Sequence, residues 1–516
     1  MKTVTLTAKE FEALIAEREA LKRQLKTVTV ERDLLKERLA GHLRQLFAAK
    51  SEARSSEQKD LFLNEAEALA PTGSPIAEEG EPEVKIPAHT RQKCGRKPLD
   101  ANLPREIIRH ELPESERVCA HDGSSLVEIG IEISEQLDII PQQVRVIQHQ
   151  RVKYACPCCD ESLKVTPAPA RIIPKGLLTE SALAWVVTSK YMDALPLYRQ
   201  AALLGRFGGD LSRNTLAGSI VRVGEAVWPI INLMRDHLLE ADLVHGDETV
   251  VQVLKEPGRA AQTKSYLWAQ ASGTGPPIRL FHYAPGRGGQ VARELYAGIK
   301  PGAALMSDGY DVYGGVAEAN GLIHLGCWAH CRRYFIEAEA AIPKSARNPE
   351  QLATQFIAAI GELYAVESRA KPLASAQRLA LRQEQSTPIL AKIEQLLLDH
   401  LHHVIPGSLL GKALHYLSAQ WPKLIRYVEH GDWPIDNNLC ENAIRPFVVG
   451  RRNWLFADTV AGATASANLY SLIETCKANQ VDPYAYLLSL FKILPLAKTA
   501  DDFEALLPWN LALPAA

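Results

Sequence analysis

The sequence predicts a multidomain α+β protein in which helical and small β modules precede a mixed α/β core that is interrupted by a long all-helical segment. Three observations carry that reading: a seven-residue apolar repeat near the N-terminus, a switch to strand-like periodicity after residue 240, and a return to helical composition over residues 336–430.

A chain of 516 residues, 47% of them hydrophobic, is long enough for several cores. The opening MKTVTLTAKEFEAL lacks the charged, apolar and small-residue sections of a signal peptide, and no apolar run reaches the length of a membrane span, so a cytoplasmic protein with no membrane partner is expected. A net charge of -2 excludes a globally basic surface, and any nucleic-acid contact must come from local patches. Three of the nine cysteines stand together as Cys156, Cys158 and Cys159, which favours metal binding over a disulfide framework.

In residues 1–65, Leu14, Leu21, Val28 and Leu35 recur every seven positions beside a second seam of Leu25, Leu39 and Leu46. That is a coiled-coil (leucine-zipper-like) pattern, and it predicts self-association, most simply as a dimer. Residues 66–105 form a linker rich in Pro, Gly and Glu, ending in the basic run Thr90-Arg-Gln-Lys-Cys-Gly-Arg-Lys-Pro98, a patch suited to phosphate.

Residues 106–172 read as a zinc-finger-like β domain. Cys156 and Cys159 have C-x-x-C spacing around Cys158, while the other half-site, Cys119-Ala-His121-Asp122, lacks a second Cys; strand-like alternation such as Val144-Arg-Val146-Ile lies between them. Two such turns on a hairpin bring four ligands to one structural Zn2+, as in zinc ribbons. Residues 173–240 are helical, with Leu195-Pro-Leu-Tyr-Arg199 opening one helix and Ser212 preceding Arg213 and Asn214 at the start of another after Gly208-Gly209. This predicts a helix-turn-helix domain with Arg199, Arg213 and Asn214 as DNA contacts.

From residue 241 to 335 the strands Leu243–Val253, Ser265–Ala271 and Ile278–Tyr283 precede a helix near Gln290–Leu295. An apolar strand, Ala303–Ser307, then ends on Asp308, and a short helix leads to the strand Leu322–Cys327. Three strands, helix, strand, helix, strand is the ribonuclease-H-like (α/β/α) order, with Asp247 on the first strand and Asp308 at the end of the fourth. Two carboxylates on neighbouring strand ends repel each other unless a cation lies between them, and two Mg2+ or Mn2+ ions held this way serve phosphoryl transfer.

Residues 336–430 read as a helical insertion, without a return of strand character afterwards. In residues 431–490 the segment Trp433–Pro446 follows, with Asn437 or Asn438 as the cap of a short helix limited by Pro446. Glu441 and Arg445, four apart, put a metal ligand beside a phosphate clamp. Arg451, Arg452 and Trp454 suit two phosphate contacts and a stacking ring. Residues 491–516 read as a C-terminal tail. Glu248, Asp311 and Asp436 compete for the metal-ligand roles, although Asp247 and Glu248, adjacent on a strand, point to opposite faces.

The stretches Gly95-Arg-Lys-Pro-Leu, Leu103-Pro-Arg-Glu, Leu195–Arg199, His245-Gly-Asp-Glu-Thr249, Ser307-Asp-Gly-Tyr310, Cys327-Trp-Ala-His330, Asp436–Pro446 and Gly450-Arg-Arg-Asn-Trp454 together resemble the insertion sequence 66 family of bacterial transposases. The resemblance covers nearly the whole chain and concerns the large DDE transposase of that element. It implies that Asp247, Asp308 and Glu441 are the catalytic, metal-binding triad, and it selects them over Glu248, Asp311 and Asp436. The function it implies is binding of terminal inverted repeats and target DNA, with metal-dependent strand cleavage and transfer. It also implies two small accessory proteins encoded by the same element. Cys327 and His330 match the C-x-x-H element that several transposase families carry between the second Asp and the Glu. They are read as support for the active site or the insertion, since two ligands alone make a poor independent zinc site. A catalytically inactive DNA-binding regulator and a ribonuclease-H-like nuclease are the alternative functions.

Overall fold

The computed structural model describes residues 143–155, 163–342 and 347–513, with residues 17–19, 21, 22, 35 and 107 before them. Most of the expected coiled-coil seam, the basic linker, and all five expected zinc ligands (Cys119, His121, Asp122, Cys156 and Cys159) lie outside the described residues. His149–Ala516 belong to one compact unit, described below; Pro75–Gln148 belong to another, of which only Ile107 and residues 143–148 are described. Among the described residues no single helix is long and apolar enough to cross a membrane.

A short antiparallel hairpin pairs β1 (Lys153–Ala155) with β2 (Leu163–Val165), bracketing the segment that carries Cys156 and Cys159. The alternation at Val144–Ile147 forms no strand: Val146 is 92% exposed, and nothing described there buries one face of the alternation.

Four helices follow: α1 (Glu180–Tyr191), α2 (Leu197–Arg206), α3 (Arg213–Ala226) and α4 (Trp228–Leu239). Gly208, in the left-handed region at φ 83°, turns the chain after α2. The Ser212 side chain then accepts the Thr215 N–H at 3.1 Å, the N-cap expected from the sequence. The apolar faces of these helices (Leu183, Val187, Leu216, Val223, Met234) enter the same core as the sheet.

That sheet contains β3 (Leu243–Lys255), β4 (Lys264–Ser272), β5 (Arg279–Ala284), β6 (Ala304–Ser307) and β7 (Ile323–Gly326), with α5 (Gly289–Leu295) and α6 (Asp311–Asn320) as connections. The strand order is β5-β4-β3-β6-β7; the first two pairings are antiparallel, and β3·β6 and β6·β7 are parallel. The three long hairpin strands and the two short crossover strands thus appear in the order read from the sequence.

After β7 the chain enters α7 (Trp328–Ala340) and a helical region of α8 (Leu352–Ala370), α9 (Ser375–Leu381), a π-helical turn (Arg382–Ser386), α10 (Thr387–His400) and α11 (Leu409–Leu424). The region has its own core, in which Phe335 of α7 stacks on Phe356 of α8 at 4.5 Å. At its centre Arg382, 1% exposed, binds both Glu367 oxygens and donates to the carbonyls of Tyr427, His430 and Gly431.

The chain then returns through α12 (Asn438–Trp454), β8 (Ala457–Thr459), α13 (Val460–Ala478), α14 (Pro483–Ile493) and α15 (Ala500–Glu504). Strand character does come back, in β8, which pairs with the far end of β3. Helix α13 lies along the sheet edge: Ser471 and Thr475, one turn apart, accept the N–H groups of Phe281 and Arg279 at 2.8 and 2.9 Å. These hydroxyls cover β5 backbone donors that would otherwise offer a pairing edge. The last residues pack inward, with Leu506 and Leu507 buried.

Candidate active site

Parallel pairing of β3 with β6 places two acidic residues side by side. The last bridged pair is His245↔Met306, and Asp247 and Asp308 each stand two residues beyond it. Local bonds fix both: Asp247 Oδ1 accepts the Glu248 N–H at 2.8 Å, and Asp308 Oδ1 accepts the Tyr310 N–H at 2.9 Å, closing an Asx turn where the chain leaves β6. Gly309 in that turn lies against Tyr416 of α11, and a Cβ added there would meet the ring at 2.6 Å.

Glu441 arrives from the far side of the helical region. It sits in the first turn of α12, where the N-terminal partial charge favours a carboxylate, and is 7% exposed. Asn437, just before α12, anchors this turn to β3: its Nδ2 donates to the Gly246 carbonyl at 3.0 Å, and its Oδ1 accepts from His245 Nδ1 at 3.0 Å. The start of Glu441's helix is therefore bonded to the two residues that precede Asp247. Asn437 spends its side chain on this anchor and caps nothing; the N-terminal contact comes from Asp436, whose Oδ1 accepts the Asn438 N–H at 3.1 Å. Nor does Pro446 end the helix, which runs eight residues further to Trp454. Proline only removes the N–H that would bond the Asn442 carbonyl, and Asn442 is exposed, where that carbonyl can be solvated.

Burial raises the Asp247 carboxyl well above the usual range, and the negative charges of Glu441, Asp308 and Glu248 push the same way. Asp308 is also raised by burial, opposed by the Tyr310 N–H and by the charges of Arg287, Arg333 and Lys423. Both aspartates keep part of their surface. Of the competing acids, Glu248 is bound by Arg287 at 2.5 Å and by the Tyr313 hydroxyl at 2.8 Å. Asp436 is taken up by Asn438 and by the Tyr364 hydroxyl at 2.9 Å. Asp311 begins α6.

Cys327 and His330 meet Glu441. One donor atom from each of the three lies within 4.8 Å of the others, the one such group among the described residues. His330 Nδ1 is 3.5 Å from Glu441 Oε1, and Arg333 Nη2 is 3.9 Å from Oε2. Burial, with Arg333 beside it, lowers the His330 pKa to about 3 and keeps the imidazole neutral. Cys327 is buried, and its sulfur accepts the Asn437 N–H at 3.3 Å; burial and the charges of Glu441 and Asp436 raise its thiol pKa.

The cations around Asp308 were not singled out in the sequence. Arg287 stacks on Tyr310, 3.9 Å from the ring centroid, while Arg333 comes from α7 and Lys423 from α11. They lie far apart in sequence and gather only on folding; the His330–Arg333 spacing on one helix face was the one signal available.

The expected DNA contacts divide into two groups. Arg199, Arg213, Asn214 and Arg452 are exposed. Arg445 is half-buried, Arg451 points inward to Thr249 Oγ1 at 3.3 Å and to the Val250 carbonyl, and Trp454 packs on the main core with Lys190 5.5 Å above its ring.

Comparison with known proteins identifies the family. The family model "Transposase IS66 family" matches residues 175–465, and "IS66 C-terminal element" matches 471–509. Upstream, "zinc-finger binding domain of transposase IS66" matches residues 116–160, and "Transposase C of IS166 homeodomain" matches 34–108. Among relatives, the uncharacterized protein y4qI of Sinorhizobium fredii (strain NBRC 101917 / NGR234) is 35% identical, covering 83% of this chain and 81% of its own. The uncharacterized protein y4hP of the same organism is 30% identical over 90% of this chain and 86% of its own. From its finger region to its C-terminal element, the chain belongs to the IS66 family of transposases.

Proposed function

We propose that the chain is an active DDE transposase that binds the terminal inverted repeats of its element and cuts and joins DNA at a site built from Asp247, Asp308 and Glu441. One observation carries the reading: Asp247 within β3 and Asp308 just beyond β6 stand at the same level of adjacent parallel strands, while Asn437 bonds the start of Glu441's helix to the residues just before Asp247. The strand order β5-β4-β3-β6-β7 supports a ribonuclease-H-like core, with residues 336–430 as a helical insertion between its second and third acids.

The donor set fits hard divalent cations. Three carboxylates supply only oxygen, which suits Mg2+ or Mn2+, and their mutual repulsion in a partly buried site favours a cation among them. When bound, two such ions supply Lewis-acid activation of a water or 3'-hydroxyl and stabilise the leaving oxygen. The chain's own residues do the rest. Asn437 orients Glu441, the Asx turn fixes Asp308, and Arg287, Arg333 and Lys423 offer positive charge to a scissile phosphate. No side-chain nucleophile is required, so no covalent protein–DNA intermediate forms.

For DNA binding, the exposed Arg213 and Asn214 at the capped start of α3 are the base-reading positions, with Arg199 and Arg452 as phosphate contacts. Zinc held by Cys156 and Cys159 with Cys119 and His121 or Asp122 would rigidify the finger, and the heptad segment would pair two chains on two element ends.

The test is cleavage and strand transfer on labelled element ends with Mg2+ or Mn2+. Asp247→Ala, Asp308→Ala and Glu441→Ala should each abolish both steps. Normal activity in any of the three refutes the assignment, and a wild-type chain that shifts DNA without nicking it is a binding protein only.

A further inference from the structure

We propose that Cys327, His330 and Glu441 form a second metal site, for a borderline-soft divalent cation of the Zn2+ class. A sulfur, a nitrogen and an oxygen donor converge there, each within 4.8 Å of the other two. That mixed set is one zinc accepts and Mg2+ does not. The sequence alone offered two ligands, too few for a site; folding adds the third from a helix more than a hundred residues away.

Three details favour a cation at this point. His330 Nδ1 is buried without a hydrogen-bond partner, and a buried imidazole nitrogen left so is costly. It lies 3.5 Å from Glu441 Oε1. Nitrogen and oxygen ligands about 2.0–2.1 Å from a tetrahedral zinc are separated by roughly 3.3 Å, close to this spacing. Arg333 Nη2 approaches the other oxygen, Oε2, at 3.9 Å. The Cys327 sulfur is held by the Asn437 N–H at 3.3 Å, a donor that supports a thiolate once binding releases the thiol proton to solvent.

Occupancy ties Glu441 to α7. On the catalytic reading proposed above, and only on that reading, Zn2+ thereby withdraws Glu441 from Asp247 and Asp308 and inhibits Mg2+-dependent cleavage. The binding itself does not depend on that reading.

The test uses the full chain and cobalt as the probe. With Cys119, Cys156, Cys158 and Cys159 replaced by Ser to silence the finger, the chain should still bind one Co2+ with thiolate-to-cobalt charge-transfer absorption. Adding Cys327→Ser, which keeps a hydrogen-bond acceptor, should abolish that band. His330→Gln should weaken cobalt binding by more than the roughly 10–100-fold that loss of an outer-shell partner costs. Zinc content gives a second reading with the finger intact: wild type should hold one equivalent more than Cys327→Ser, with circular dichroism reporting the fold of both. Equal zinc content, or a cobalt band that survives Cys327→Ser, overturns the proposal. Cobalt binding as expected in a chain that never cleaves DNA overturns the catalytic reading alone.

Discussion

Replacing Asp247 with Asn should stabilise the metal-free chain at pH 8 while abolishing cleavage. Burial, then Glu441, Asp308 and Glu248, raise the Asp247 pKa in the folded chain. The unfolded chain ionises this group near pH ~3.9, so between that pH and the folded value the native state binds more protons than the unfolded one. Stability is therefore fully present below the unfolded pKa and is lost as pH rises toward the folded value. At about 1.4 kcal/mol per pH unit, one carboxyl can lose at most roughly 6 kcal/mol between pH ~3.9 and pH 8. Asp247 keeps part of its surface, so a gain of about 1–3 kcal/mol is expected from removing the charge. Asn retains an oxygen to accept the Glu248 N–H, now 2.8 Å away, so the backbone contact survives. Magnesium should reverse the ranking: a ligand at a hundred times its Kd adds about 2.7 kcal/mol to the wild type, and much less to a site short of one carboxylate. Thermal unfolding from pH 5 to 8, with chelator or Mg2+, measures both effects. A lower melting temperature for Asp247→Asn than for wild type at pH 8 in chelator, or equal stabilisation of both by Mg2+, refutes the account of a strained acidic cluster.

Three further outcomes follow from single contacts. Arg213→Ala with Asn214→Ala should weaken binding to element ends and relax discrimination at the base pairs they read, by about 1–3 kcal/mol per lost base contact, measured by competition between cognate and altered ends; melting should barely change, since both residues are exposed. Gly309→Ala would put a Cβ 2.6 Å from the Tyr416 ring, costing about 1–3 kcal/mol in thermal unfolding and displacing the Asp308 turn, so cleavage should fall further than stability. Arg382→Ala leaves Glu367, 13% exposed, without its cation and strips three carbonyls of their donor; unfolding of the helical region should be easier by about 3–5 kcal/mol, read by denaturant titration.

The sheet was legible because period-two alternation and turn residues mark strands locally: the reading of Leu243–Val253, Ala303–Ser307 and Leu322–Cys327 needed no knowledge of partners. Asp247 and Asp308 were legible for the same reason, one as an acid within the first strand and the other at the end of the fourth. What escaped depends on long-range pairing. Asn437 looked like a helix cap because Asn near a helix start usually caps, yet its side chain is used across 191 residues of sequence to hold Gly246. Pro446 looked like a stop because the rule for proline weighs the lost hydrogen bond and not the solvation of the carbonyl left behind. Arg451 and Trp454 read as a phosphate contact and a stacking ring from their types, while their places, against β3 and the main core, follow from where α12 crosses the sheet.

The helical region shows why Glu441 stands so far from the aspartates in sequence without being loosely placed in space. Its core includes Trp328, Cys331 and Phe335, so α7 belongs at once to the helical region and, through His330 and Arg333, to the surroundings of Glu441. Helix α11 does the same from the other side, with Tyr416 against Gly309 and Lys423 facing Asp308. A flexible tether of this length would leave Glu441's approach to β3 to chance. Two shared helices instead make the geometry of the acidic cluster depend on the packing of residues 352–424. Loosening of that packing reaches the cluster directly.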